Sequence, residues 1–140
     1  MLGSNSFAGA SVVRRLLEDG ADVIGFNRSA EGSAIFLQYR WGEFSGTYRF
    51  VQADINHNLD EIGQILRDFN PRVVVDFMGQ GMVAESWRHP DQWFTTNVLS
   101  KVRLHEFLRE LGGLERYIRI STPEVYGSTD VPISENWNFN

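Results

Sequence analysis

No cysteine occurs among the 140 residues, which excludes disulfides, thiolate nucleophiles and cysteine-held metals and suits a reducing compartment. Long hydrophobic runs are missing too: no stretch approaches the roughly 18 apolar residues of a membrane span, and Met1 is not followed by a basic-then-apolar leader. There is no cluster of Lys or Arg. With 13 basic and 18 acidic residues the formal charge is -5, which repels a phosphate backbone and offers no counter-ion release. These absences predict a cytoplasmic protein with neither a membrane nor a nucleic acid as partner. His57, His89 and His105 share no metal-ligand spacing, so no metal site is expected and all three are read as structural.

What is present describes an ordinary folding domain. Hydrophobic residues make up 42% and charged residues 22%, and a chain of this length suits one domain, residues 1–140. It opens abruptly, because Met1-Leu2 leads straight into Gly3-Ser4-Asn5-Ser6-Phe7-Ala8-Gly9. The strand expected ahead of that loop is missing. Ala10, Val13, Leu16 and Leu17 recur at helical spacing, predicting a helix over about 7–19 that Ser6 caps and Gly20 stops. Val23-Ile24-Gly25-Phe26 has the continuous apolar character of a buried parallel strand. Residues 30–49 suit either a short helix or a hydrophobic loop.

Tyr48 to Val51 reads as a second strand, followed by a helix opened by Asn58 and Glu61, packing Ile62, Ile65, Leu66 and Phe69 inward and closed by Asn70-Pro71. Val73-Val74-Val75-Asp76-Phe77 is the most β-branched run and predicts a central strand, with a flexible turn at Gly79-Gln80-Gly81. Pro90 starts a long helix with an expected apolar face through Phe94, Val98, Val102, Leu108 and Leu111. Tyr117 to Ile120 supplies a last strand. Strands alternating with helices indicate an α/β fold, a doubly wound parallel sheet of Rossmann type with helices on both faces.

Gly3, Ser6 and Gly9 have the spacing of a glycine-rich dinucleotide loop, although a plain helix-capping turn has the same composition. Further motifs narrow the choice: Phe77-Met78-Gly79-Gln80-Gly81 with Glu85-Ser86-Trp87, Thr96-Asn97-Val98, and Ser121-Thr122-Pro123-Glu124-Val125-Tyr126-Gly127. In this order the chain resembles the extended short-chain dehydrogenase/reductases, specifically the nucleotide-sugar epimerases and 4,6-dehydratases. The resemblance runs from the glycine loop to Ile133-Ser134-Glu135-Asn136.

The resemblance implies that Gly3, Ser6, Phe7 and Gly9 hold a cofactor pyrophosphate, with Ser6 in place of the middle glycine weakening or displacing the loop. It places Asn27, Arg28 and Ser29 at the adenosine ribose. With no carboxylate there to repel a 2′-phosphate, NADP is expected over NAD, though a solvated surface turn would read the same. It assigns Asp54 and Ile55 to the adenine, Met78, Gly79 and Gln80 to the ribose and phosphates, and Asn97 to the nicotinamide end. Asp54 also suits a loop or cap role, and Asn97 a bond to backbone.

Thr122 corresponds to the hydroxyl that bonds the sugar C4 oxygen, since it can donate and accept. Glu124 corresponds to the base with which 4,6-dehydratases remove the sugar C5 proton, while Pro123 stands where many of them carry an aspartate. Tyr126 reads as a packing turn, because the family's acid/base tyrosine belongs to a Tyr-x-x-x-Lys element not found up to Asn140. The implied whole is a nucleotide-sugar 4,6-dehydratase, with a 4-epimerase or reductase and a non-catalytic dinucleotide- or partner-binding remnant as alternatives. Lacking the first strand and the tyrosine and lysine, the chain is expected to be inactive alone and to form a homo-oligomer.

Overall fold

The structure, a computed structural model, describes residues 1–138. Four strands, β1 (Val23–Asn27), β2 (Tyr48–Gln52), β3 (Val73–Asp76) and β4 (Arg116–Arg119), run parallel. β1 pairs with β2 from Val23↔Tyr48 to Asn27↔Gln52, and β3 pairs with β4 from Val73↔Arg116 to Asp76↔Arg119. Leu2 joins the two pairs through parallel bridges to Phe26 and Asp76. On one side Phe26 N donates to Met1 O and Gly3 N to Phe26 O, both at 2.8 Å; on the other, Leu2 N donates to Val75 O at 2.8 Å and Phe77 N to Leu2 O at 2.9 Å.

The order is therefore β2, β1, Met1-Leu2, β3, β4. As expected, no full strand precedes the Gly3–Gly9 loop: Met1 and Leu2 alone supply the rungs of a central lane at its carboxyl end. Behind them the sheet opens into a cleft of ≈ 630 Å³ lined by Val23, Ile24, Val73, Val74 and Val75. The Met1 amino group donates to Ile24 O at 2.7 Å, where a strand amide would stand.

Helices cover both faces, because alternate strand residues point to opposite sides. α1 (Phe7–Glu18) buries Ala10, Val13 and Leu17 against Val23, Leu37 and Tyr39. On the other face α2 (Leu59–Phe69) and α5 (Ser100–Arg109) bury Ile62, Leu66, Leu104 and Leu108 against Ile24, Phe26 and Val74. The region between β1 and β2 forms two short 3₁₀ turns, Ala34–Phe36 and Gln38–Arg40, with Leu37 and Tyr39 inside and Ile35, Phe36 and Trp41 exposed.

Two details differ from the sequence reading. Asn58 precedes α2 without capping it, because its Oδ1 accepts from Asp54 N at 2.9 Å, and Phe69 at the far end is exposed beside the cleft. The long helix consists of α4 (Pro90–Phe94), a π turn (Thr95–Leu99) and α5, after the short α3 (Val83–Ser86). Its inward row is Thr96, Ser100, Leu104 and Leu108, leaving Phe94, Val98 and Val102 exposed. Asn56 explains the choice: its Nδ2 donates to Thr96 Oγ1 at 3.0 Å and its Oδ1 accepts from Ser100 at 2.7 Å, so the buried hydroxyls are satisfied.

Candidate functional site

The loops that leave β1, β2 and β3 at their carboxyl ends converge with the Gly3–Gly9 loop. In open α/β sheets ligands bind outside this edge, where the strand order reverses. Gly3 is in the left-handed region at φ 75°, and a Cβ on it would lie 2.9 Å from the Phe77 carbonyl carbon. Ser6 caps α1: its Oγ donates to Gly3 O at 2.8 Å and accepts from Gly9 N at 3.0 Å. The hydroxyl is thus turned into the loop's own bonds. A Cβ on Gly9 would collide with Gly3 O and stand 2.6 Å from Ser6 Oγ. The Phe7 and Ala8 amides, in the first turn, have no acceptor within the helix and favour an anion. The Phe7 ring is 83% exposed, so its backbone is the useful part.

The other wall comes from Asn27, Arg28 and Ser29 after β1 and from Asp54, Ile55 and Asn56 after β2. Asp54 is a turn residue as well, its Oδ1 accepting from Asn56 N at 2.8 Å. Asn5 ties the phosphate loop to the β1 turn, its Nδ2 donating to Ser29 O at 3.4 Å and Ala30 O at 3.3 Å. Asn5 Oδ1 and Glu31 Oε1 each lie 2.9 Å from the Tyr39 hydroxyl and share its one proton, and Arg40 pairs with Glu31 at 2.6 Å. The carboxylate following Asn27–Ser29 is neutralised by Arg40. Burial, followed by bonding to its neighbours, raises the Tyr39 pKa and keeps that hydroxyl protonated.

The floor is the turn after β3. Asp76, fully buried, accepts from Met78 N at 2.8 Å through Oδ1; its Oδ2 takes Lys101 Nζ at 2.7 Å, Tyr117 OH at 2.6 Å and Arg119 at 3.0 Å. Arg119 also donates to Met78 O. Asn97 clasps Gln80, two residues on, accepting from its N–H at 2.8 Å and donating to its carbonyl oxygen at 2.9 Å. Burial lowers the Lys101 pKa against the opposing pull of Asp76, while burial and Asp76 together raise that of Tyr117.

One cleft gathers Gly3, Ser6, Asn27, Arg28, Ser29, Asp54, Ile55, Met78, Gly79 and Gln80, with Asn56, Phe77 and Thr96 added. Of the residues expected at a cofactor, Phe7, Gly9 and Asn97 are not in its lining: Gly9 makes room for the loop, and Asn97 holds the turn from behind. Thr122 and Glu124 are exposed on the segment after β4, where Thr122 precedes the 3₁₀ turn Pro123–Tyr126, and neither lines the cleft. Among the described residues no group of three or more His, Cys, Asp or Glu could hold a metal, and no helix is long and apolar enough to cross a membrane.

Asn5, Asn56, Asp76, Lys101 and Arg119 were not singled out from sequence. The one available signal was Lys101, four residues after Asn97 on a helix with buried neighbours, where an unpaired charge would be costly.

The whole chain, residues 1–140, matches the family model described as GDP-mannose 4,6 dehydratase. It belongs to the extended short-chain dehydrogenase/reductase family of nucleotide-sugar epimerases and dehydratases. Within this family it is similar to a UDP-glucose 4-epimerase of Mycolicibacterium smegmatis, 35% identical over 140 residues that cover 99% of this chain and 43% of that protein. The chain thus spans less than half the length of such relatives. The fold is that of solved family members: a UDP-glucose-4-epimerase of Stenotrophomonas maltophila, with bound NAD and formylated UDP-arabinopyranose, superposes with a TM-score of 0.83 at 21% identity over 99% of this chain and 41% of that one. The Bifidobacterium longum UDP-glucose 4-epimerase, in complex with NAD+ and UDP, gives the same score, identity and coverage. The architecture is therefore an incomplete Rossmann fold.

Proposed function

We propose that this chain is the dinucleotide-binding part of a nucleotide-sugar 4,6-dehydratase, an enzyme that oxidises C4 of a nucleotide-linked sugar and then returns the hydride to the same sugar, with a 4-epimerase as the second reading. The observation that carries the reading is the single cleft uniting the Gly3–Gly9 loop, the Asn27–Ser29 turn, Asp54-Ile55 and the Met78–Gln80 turn. The residues fit the cofactor: Gly3 and Gly9 allow close backbone approach, and the α1 amino terminus faces the pyrophosphate. The bound cofactor supplies the acceptor for the C4 hydride. Asn27, Arg28 and Ser29 would hold the adenosine ribose and Asp54 and Ile55 the adenine, while Asn97 fixes the turn under the second ribose. With Glu31 neutralised by Arg40, the pocket tolerates a 2′-phosphate, so NADP is preferred to NAD. Calorimetry with both dinucleotides tests this: binding of neither by the folded chain refutes the reading.

Thr122 would bond the C4 oxygen as it alternates between alcohol and ketone. The outcome of the reaction follows from Glu124. If it abstracts the C5 proton, water leaves C6, the hydride taken from C4 returns to C6 with a proton to C5, and the product is a 4-keto-6-deoxy sugar, the 4,6-dehydratase outcome that its position two residues after Thr122 favours. If it only shapes the pocket, the hydride returns to C4, the epimerase outcome that the Mycolicibacterium relative favours. Mass analysis of UDP-, GDP- and dTDP-sugars after incubation with a longer protein that includes a Tyr-x-x-x-Lys element separates the two, because only dehydration lowers the mass by one water.

In the same reading the working unit is a homo-oligomer in the cytoplasm. The exposed row of Phe94, Val98 and Val102 supports a partner copy there, and a monodisperse monomer by light scattering would contradict it.

A further inference from the structure

A buried ionic cluster is an expensive way to join two strands and a helix, since apolar side chains of like volume do so at lower desolvation cost. Asp76 is fully buried, yet it gathers Lys101 from α5, Tyr117 and Arg119 from β4, and the Met78 amide from the turn that follows its own strand. Two of these contacts share an endpoint. Asp76 takes the Met78 N–H and Arg119 donates to the Met78 carbonyl, so both backbone groups of one turn residue are held by an ion pair whose two members bond each other. Arg119 also lies against Gly79, where a Cβ would come within 3.2 Å of its guanidinium and 3.3 Å of Asn97 Oδ1. From the other side Asn97 bonds both backbone groups of Gln80. The three-residue turn is thus clamped at each end, and Gly79 between the clamps lines the cleft.

We infer that Arg119, acting with Asp76, is a positioning residue for the dinucleotide: it fixes the Met78–Gln80 backbone at the height where the middle of the ligand passes, without touching the ligand itself. This rests on the cleft being a dinucleotide site. Packing alone does not account for the arrangement, because Arg119 is a third exposed and carries its charge to a backbone carbonyl rather than to a second acid. The Asn27–Ser29 and Asp54-Ile55 wall is built from different strands and does not depend on the clamp. The two halves of the ligand should therefore respond differently.

The test compares the parent chain with Arg119→Met, which keeps the aliphatic stem, and Arg119→Lys, which can reach one acceptor at a time. Amide hydrogen exchange without ligand reads the turn, and calorimetry or NMR titration reads NADP⁺, NAD⁺ and adenosine monophosphate. Expected for Arg119→Met are at least tenfold faster exchange at Met78 and Gln80 with Phe26 unchanged, and about tenfold weaker dinucleotide binding with unaltered monophosphate binding. Arg119→Lys should recover part of both. If Arg119→Met matches the parent in exchange and in dinucleotide affinity, the inference is overturned; so is it if monophosphate binding falls equally, which would mark a general structural loss. A parent chain with a protected turn that binds neither dinucleotide overturns the coenzyme reading instead and leaves the clamp without a ligand to position.

Discussion

Ser6 shows how a departure from a family pattern is absorbed by a few atoms. At the position where the family resemblance implies a glycine, the Ser6 hydroxyl bonds Gly3 O and Gly9 N and caps α1, the role its place ahead of the helix predicts. Replacing it with Ala should cost about 1 kcal/mol, whereas Gly should cost only a few tenths; urea unfolding of the two variants distinguishes them. Gly9 has no such latitude. Gly9→Ala places a methyl against Gly3 O and Ser6 Oγ, so a loss of about 1–3 kcal/mol is expected together with dinucleotide binding at least tenfold weaker. At the ribose end Asn27→Asp would set a carboxylate where a 2′-phosphate is proposed to lie. Coulomb repulsion there should lower the NADP⁺ to NAD⁺ affinity ratio by about tenfold, or roughly 1.4 kcal/mol, measured by titrating both ligands.

Among the elements, the long helix departed furthest from its apolar pattern. Phe94, Val98 and Val102 looked like the inward row because they are hydrophobic and evenly spaced, yet the chain buries Thr96, Ser100 and Lys101 instead. Those polar groups find Asn56 and Asp76, partners that lie over 20 residues away in sequence and are brought opposite by the sheet. Two substitutions check this orientation by thermal or chemical unfolding. Leu104→Ala, in the core, should cost about 2–5 kcal/mol, and Val102→Thr, on the surface, should stay within about 0.5 kcal/mol.

At the scale of the molecule, the central lane of the sheet is held at one end by Met1 and Leu2. The amino group of Met1, bonded to Ile24 O, has its pKa lowered by burial from 8.0 to about 5 despite the attraction of Asp76. Between those values the unfolded chain holds a proton that the folded chain does not, so acid favours unfolding. With a free amino group at Met1, stability should rise with pH from about 5 to 8, at up to about 1.4 kcal/mol per unit. Joining an apolar segment such as Val-Val-Val ahead of Met1 by a peptide bond should abolish that slope and raise the midpoint, because it removes the titrating group and offers strand partners to β1 and β3. Urea titrations at pH 5.5, 6.5 and 7.5 on both proteins measure it, and an unchanged slope would refute this account of the amino group.

From the residues alone came the alternation of strands and helices, the glycine loop, the turn at Asn27–Ser29 and the family, since each depends on neighbours in sequence: spacing, turn chemistry and short ordered motifs. The tertiary structure decided three other matters. It placed Leu2 in the sheet, although two residues are too few to show a period; it chose the buried face of the long helix; and it assembled Asp76, Lys101 and Arg119 beneath the Met78–Gln80 turn. All three turn on hydrogen bonds and charge pairs between distant segments. A buried polar group is tolerated only where the fold brings it a partner, and that pairing has no local signature in the chain.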